Sequence, residues 1–338
     1  MSQKTLKKMR RRSARGVQAA AFALNRQLNR FDDKLFVLGE GRSGTTWLAN
    51  LLNFDGRYRL MFEPFLTGNF RPAITYSSEY PFPDKPDTGG VQEHIRKVLR
   101  GDYISGNANV TSKRLLYQGM LIKDITAQLI LDQIFEHAPA MKGVFILRHP
   151  FAVASSKSKV FKWPTDPLSF LSDNNTRRGE IEQFSDQIEK VAASKDPLLI
   201  HVLVWCLSHW FAFHSRSLES FALIYYEELV VSPETELPRL FERLNIRERY
   251  DENKQSVAKK LSEKSHVTFR NNVIAASKKG QAVWDDEWDK DKIDSGLELL
   301  ERFGFSEIYS DRFSPLAGIE DVLPHIQGDA RRVEVGNQ

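Results

Sequence analysis

Short, uniformly apolar runs alternate with stretches of helical spacing along most of this chain. Leu35–Leu38, Met120–Ile122, Gly143–Leu147 and Phe221–Tyr225 have the length and composition of buried strands, and Tyr58–Phe62 reads as a further extended run. Between them, Trp47, Leu48, Leu51 and Leu52 recur at helical spacing, Val91–Leu99 forms a plausible helix, and Ala127–Ala138 keeps a helical pattern up to Pro139. Leu198–Leu218 is apolar on nearly every side, as in a buried helix. Helices are also predicted at Glu234–Leu244, after Pro233, and at Lys292–Phe303. Strands that are apolar throughout and alternate with helices predict an α/β fold: a central parallel sheet flanked by helices on both faces.

The remaining stretches carry no period. Residues 66–90 are rich in Pro, Gly, Ser, Thr and aromatics and read as a long loop, a class that is often functional. Residues 163–197 are polar and read as a surface insertion, residues 262–290 are loop-like, and no internal repeat is visible. The expected organisation is a basic arm over 1–34, one domain over 35–315 and a tail over 316–338.

Composition adds limits. The 338 residues are 41% hydrophobic and 27% charged, as in a packed globular protein. The net charge of +4 suits an anionic ligand without calling for nucleic acid. The single cysteine, Cys206, rules out a disulfide within the chain and is expected to be a buried, inert thiol. No run of apolar residues is long enough to span a bilayer. Lys4, Lys7, Lys8, Arg10, Arg11, Arg12 and Arg15 make the amino-terminal arm basic, which reads either as a solvated, partly helical tail or as a basic amphipathic segment resting on anionic lipid or on a partner; the expectation is a cytoplasmic protein, peripheral at the membrane through residues 4–15 on the second reading.

The chemistry begins at the end of the first strand. Gly39-Glu40-Gly41-Arg42-Ser43-Gly44-Thr45-Thr46 joins that strand to a helix, the layout of a phosphate-binding loop in which amides at a helix start face an anion. The spacing is that of G-x-x-x-x-G-K-[ST], but Thr45 stands where lysine should be and the positive charge sits earlier, at Arg42. The loop therefore suits a phosphate while lacking the lysine that bridges a triphosphate. Further candidates each follow a strand: Glu63, Lys123, Arg148 and Tyr226. In an open α/β sheet, ligands bind at the carboxyl ends of the strands, so these groups are expected to converge. Arg148 with Ser156 eight residues on suits a second phosphate. Ser277-Lys278-Lys279-Gly280, with Trp284 after it, could close over a phosphate.

Taken together, GRSGTTWL, RHPFAVASS and KKG-x-x-x-W resemble the sulfotransferases that use 3′-phosphoadenosine 5′-phosphosulfate (PAPS), over roughly Leu35–Tyr309. The resemblance implies a P-loop-type nucleotide-binding fold and donor contacts from Arg42, Ser43, Gly44, Thr45 and Thr46 to the 5′-phosphosulfate. It implies Trp47 and Tyr226 near adenine, Arg148 and Ser156 on the 3′-phosphate, and Lys278, Lys279 and Gly280 closing on the same group. It also implies that no metal is required and that the product is adenosine 3′,5′-bisphosphate (PAP). Arg42 is the candidate for the leaving oxygen and the sulfuryl group, with Lys123 as a second. Members acting on phenols and steroids carry a K-[ST]-H element whose histidine is the base; here Lys123-Asp124-Ile125 stands in that place. Sugar-directed and several bacterial members instead have a glutamate shortly after the loop helix, and Glu63 in Phe62-Glu63-Pro64-Phe65 matches it, with Asp124 as the alternative base and His149 structural. The expected function is sulfuryl transfer to a hydroxyl on a carbohydrate or glycolipid. The alternatives are an ATP-dependent phosphate-loop kinase and a non-catalytic nucleotide-binding module that docks on a membrane or partner.

Overall fold

The computed structural model describes residues 16–66, 80–83, 90–105, 114–160, 165–262 and 288–322. Five strands form one sheet: β1 (Lys34–Leu38), β2 (Tyr58–Phe62), β3 (Gly119–Asp124), β4 (Lys142–Leu147) and β5 (Phe221–Tyr225). Their order is β2-β3-β1-β4-β5, and every neighbouring pair is parallel. All five strand expectations hold; β3 runs on through Lys123 and Asp124, which pair in register with Val37 and Leu38 of β1.

Alternation along β1 shows why the strands carry no polar face. Phe36 and Leu38 enter a large apolar cluster on one side of the sheet, and Leu35 and Val37 enter another on the opposite side. The first cluster takes in α1 (residues 16–27), α3 (Gly90–Leu99), α4 (Leu131–Glu136), α5 (Pro150–Val160), α7 (Pro197–Phe213) and α12 (Lys290–Arg302). The second packs against α2 (Thr45–Leu52), α8 (Tyr226–Val231), α9 (Pro233–Arg243), α10 (Arg247–Asp251) and α11 (Lys254–Ser262). Among the described residues, no helix is long and apolar enough to cross a membrane. Cys206 is buried on α7 with its thiol free, as expected.

Three local readings need correction. Residues 163–197 are not a surface insertion: two 3₁₀ turns and α6 (Ser185–Ser194) bring Phe170, Ile181, Phe184, Ile188 and Val191 into the core. Their spacing from 181 to 191 is helical, but the many polar residues between them mask it. The long apolar helix ends at Phe213 rather than Leu218, and a 3₁₀ turn at Arg216–Ser220 follows. Its start is fixed by Asp196, which accepts from the Leu198 and Leu199 amides ahead of Pro197. Finally, the segment after Thr126 opens as a 3₁₀ turn, Ala127–Ile130, before α4.

Edge strand β2 carries a fully buried arginine. Arg59 donates to the Gly101 carbonyl at 2.6 Å and the Tyr103 carbonyl at 2.7 Å, and its guanidinium lies 3.5 Å from the centre of the Phe22 ring. Two carbonyls and an aromatic face take the place of water, and burial still pulls its pKa down to about 9.

Candidate active site

The loop after β1 is shaped by two positions that tolerate little else. A Cβ on Gly39 would lie 2.6 Å from the Ile146 carbonyl oxygen, so only glycine lets β1 leave the sheet this close to β4. Gly44 caps α2 at φ 92°, and a Cβ there would lie 2.7 Å from the Tyr226 ring. No side chain caps α2, which leaves its first amides for an anion. The buried Ser43 hydroxyl has no hydrogen-bond partner among the described residues. Thr45 and Thr46 are buried in the first turn. An uncapped helix start beside an unsatisfied buried hydroxyl fits a bound phosphate group.

Arg42 sits at the centre. Its backbone is left-handed, φ 76°, which aims the side chain across to α5, where its Nε donates to the Ser156 hydroxyl at 3.0 Å. Arg148, leaving the end of β4, donates from Nη1 to the Arg42 carbonyl at 2.7 Å and lies 4.4 Å from the centre of the Tyr226 ring. Tyr226 meets Trp47 edge-on, 6.0 Å between ring centres. Burial and the neighbouring Arg148 charge lower the Arg42 pKa from its ordinary value. The half-buried Arg42 and the buried Arg148 repel each other, and a multiply charged anion would relieve that repulsion. Arg42, Ser43, Gly44, Thr45, Thr46, Trp47, Arg148, Ser156 and Tyr226 thus converge as expected from the strand ends. Lys278, Lys279 and Gly280 lie outside the described residues.

Glu63 and Lys123 form a second group, on the β2–β3 side. Glu63 is left-handed, φ 51°, and its amide donates to the Lys123 carbonyl at 2.6 Å. Its carboxylate forms an ion pair with the Lys123 ammonium, which is buried and lies 4.4 Å from the centre of the Phe62 ring. Burial lowers the Lys123 pKa from its ordinary value, while the Glu63 carboxylate acts in the opposite direction. Asp124 is fully engaged: one oxygen accepts from the Ile125 amide, the Thr126 amide and the Thr126 hydroxyl at 2.8, 2.9 and 3.0 Å, and the other from the Phe65 amide at 2.8 Å. Asp124 therefore fixes the turn that presents Glu63. Burial raises its pKa to about 6.

Sequence reasoning passed over the carboxylate inside the loop itself. Glu40 is 2% exposed and pairs with Lys157, 1% exposed and next to Ser156. It also accepts from the Tyr80 hydroxyl at 2.7 Å and the Ser208 hydroxyl at 2.9 Å. Burial works against the Glu40 charge, but Lys157 and the Tyr80 hydroxyl prevail and keep its pKa below the usual carboxylate range. This cluster joins the loop to α5, α7 and residues 80–83. The signal available beforehand was slight: an acid within a phosphate loop, and a lysine on an otherwise apolar helix.

His149 is structural, as expected. Its Nδ1 accepts from the Phe151 amide at 3.2 Å, which leaves Nε2 to donate to the Ser310 carbonyl at 2.9 Å, and burial pushes its pKa down to about 3. The His149 amide donates to Glu227 at 2.9 Å, and Tyr309 donates to the other Glu227 oxygen at 3.2 Å. Burial raises the Glu227 carboxyl to about 7.

A comparison with curated proteins found no match. Among solved structures, the sulfotransferase domain from the curacin biosynthetic pathway is similar at 14% identity and a TM-score of 0.43, over 81% of this chain and 98% of that one. The sulfotransferase domain of the Synechococcus PCC 7002 olefin synthase is similar at 15% identity and a TM-score of 0.40, over 80% and 94%. A mouse sulfotransferase complexed with PAP is similar at 13% identity and a TM-score of 0.37, over 87% and 90%. The model of the sulfotransferase family matches residues 34–252, about two thirds of the chain and the span that holds the loop, the arginines and the Glu63–Lys123 pair. On that match the chain belongs to the sulfotransferase family.

Proposed function

We propose that this enzyme moves a sulfuryl group from PAPS to the hydroxyl of a carbohydrate or glycolipid. The observation that carries the reading is the Glu63–Lys123 ion pair at the strand ends that also deliver Arg42 and Arg148. Donor binding falls to Ser43, Gly44, Thr45 and Thr46 at the 5′ end, to Arg148 and Ser156 at the 3′-phosphate, and to Trp47 and Tyr226 at the base. Lys278, Lys279 and Gly280 are proposed to close on the 3′-phosphate.

In this reading Glu63 takes the proton of the acceptor hydroxyl while that oxygen bonds to sulfur. Arg42 neutralises the charge left on the 5′-phosphate oxygen as its bond to sulfur breaks. Such transfer needs positioning and cationic stabilisation more than covalent chemistry. Lys123 keeps Glu63 oriented, and it is the second candidate for the sulfuryl group. The absence of a histidine at Ile125 and the presence of Glu63 favour a sugar hydroxyl over a phenol or steroid. We place the enzyme in the cytoplasm, with the basic arm over residues 4–15 available for peripheral membrane contact.

Two measurements test this. PAP should raise the melting temperature and ATP should not; the reverse would make the chain a kinase. Radiolabelled donor offered with a panel of glycans, glycolipids, phenols and steroids should label a sugar. Label found only on phenols or steroids would overturn the acceptor assignment.

A further inference from the structure

Helix α1 has two apolar faces, and among the described residues one of them is exposed. The inward face is well held: Phe22 is fully buried, and Asn25 donates to the Leu115 carbonyl at 2.7 Å and accepts from the Tyr117 amide at 2.8 Å. The outward face carries Val17, Ala20 and Leu24, and Leu28 continues the stripe just past the helix end. Val17 is 60% exposed, Leu24 45% and Leu28 52%. Beside the helix, Leu115 is 62% exposed and Leu116 47%. A helix whose inner face already serves the core should be polar outside, and an apolar stripe of this kind marks a docking surface.

Charge identifies what docks. Nine of the 48 lysines and arginines lie before residue 32, and none of the 44 carboxylates lies before Asp32. The rest of the chain then carries 39 cations against 44 carboxylates, so the basic character of the protein is concentrated on this one segment. We propose that the outward face of α1, with Leu115 and Leu116, docks on a membrane surface that contains anionic lipid. The leucines enter the headgroup boundary, and Lys4 to Arg15 supply the electrostatic attraction. A second copy of the chain fits less well, because pairing these faces would bring two basic arms together.

The orientation is compatible with catalysis. Helix α1 leads into the amino end of β1, and its partner Tyr117 lies just before the amino end of β3, whereas the candidate site lies at the carboxyl ends. A membrane held by α1 leaves the donor site on the far side of the sheet. The proposal rests on neither the donor nor the acceptor assignment.

The test is co-sedimentation of the full chain with vesicles of phosphatidylcholine alone and of equimolar phosphatidylcholine and phosphatidylglycerol. The wild type should bind the anionic vesicles, bind the neutral ones poorly, and lose affinity as salt rises. Each basic residue near an anionic surface strengthens binding about fivefold. Replacing Leu24→Glu and Leu28→Glu together should weaken vesicle binding about tenfold or more, and Leu24→Ser should weaken it less. Both variants should keep the melting temperature and PAP stabilisation of the wild type. The proposal is overturned if the wild type stays in the supernatant with both vesicles, or if the glutamate variant binds as well as the wild type. It is also overturned if the wild type is a dimer in solution that Leu24→Glu dissociates. A wild type that ignores PAP yet binds vesicles would count against the donor assignment alone.

Discussion

Glu63 and Glu40 are both held by a lysine, yet the two pairs predict opposite behaviour on substitution. Glu63 stands at the site edge with a 13% exposed side chain, so Glu63→Gln leaves shape and fold largely intact. Its expected effect is on turnover: kcat falls about 10²–10⁴-fold, the usual weight of a general base, while the dissociation constant of PAP stays within a few-fold. Calorimetric PAP binding beside a turnover assay checks the split. Glu40 is enclosed with Lys157, so Glu40→Ala strands a buried ammonium and should cost about 3–5 kcal/mol of stability by urea unfolding. Replacing both as Glu40→Gln and Lys157→Met should recover most of that loss, because a neutral pair of similar size demands no counter-charge. Both members of the first pair, though not their pairing, could be read from the sequence because each stands at the end of a recognisable strand. The second joins residues 117 positions apart, and no local pattern connects Glu40 with Lys157.

Among the elements, the turn into α2 is the one proposed to govern donor binding. Gly44→Ala forces a Cβ into a φ 92° backbone and against the Tyr226 ring, so either the loop or Tyr226 must move. A left-handed backbone alone costs a residue with a Cβ about 1–2 kcal/mol. PAP affinity should fall about tenfold or more, with only a small change in secondary structure by circular dichroism. The strands, α2 and the long apolar helix were legible because each places its apolar residues in one unbroken pattern. The stretch 163–197 was not, because Ile181, Phe184, Ile188 and Val191 are diluted by Glu, Gln, Asp and Lys. The outward stripe of α1 was hidden for the opposite reason. Its apolar residues follow helical spacing on both sides, and only the packed structure shows which side meets the core.

For the whole molecule, pH dependence follows from several buried groups together. Burial comes first in lowering His94 to about 4, His149 to about 3, His201 to about 3 and His209 to about 4, each from an ordinary 6.5. The unfolded chain takes up protons at these sites below about pH 6.5 and the folded chain does not, so they favour folding above that value and lose their contribution as pH falls. Asp124 and Glu227 act the other way. Their folded values of about 6 and about 7 exceed their ordinary 3.8 and 4.5, so their contribution is complete below those ordinary values and is lost as pH rises through 6 and 7. Four histidines outweigh two carboxyls on the acid side. Stability by urea midpoint should climb from pH 5 to about 7, then flatten towards pH 8. Loss of the initial climb would show that the histidines are not buried as neutral rings.

Arg42 and Glu63 share one further property: both are non-glycine residues with positive φ, at 76° and 51°. Glycine would occupy either position at lower conformational cost. Selection for durability alone would therefore drift towards glycine at both places and remove the cation and the carboxylate together. Holding these two side chains in left-handed backbone leaves the chain short of its attainable stability. Libraries screened only for heat resistance should accordingly enrich variants that fold better and transfer nothing.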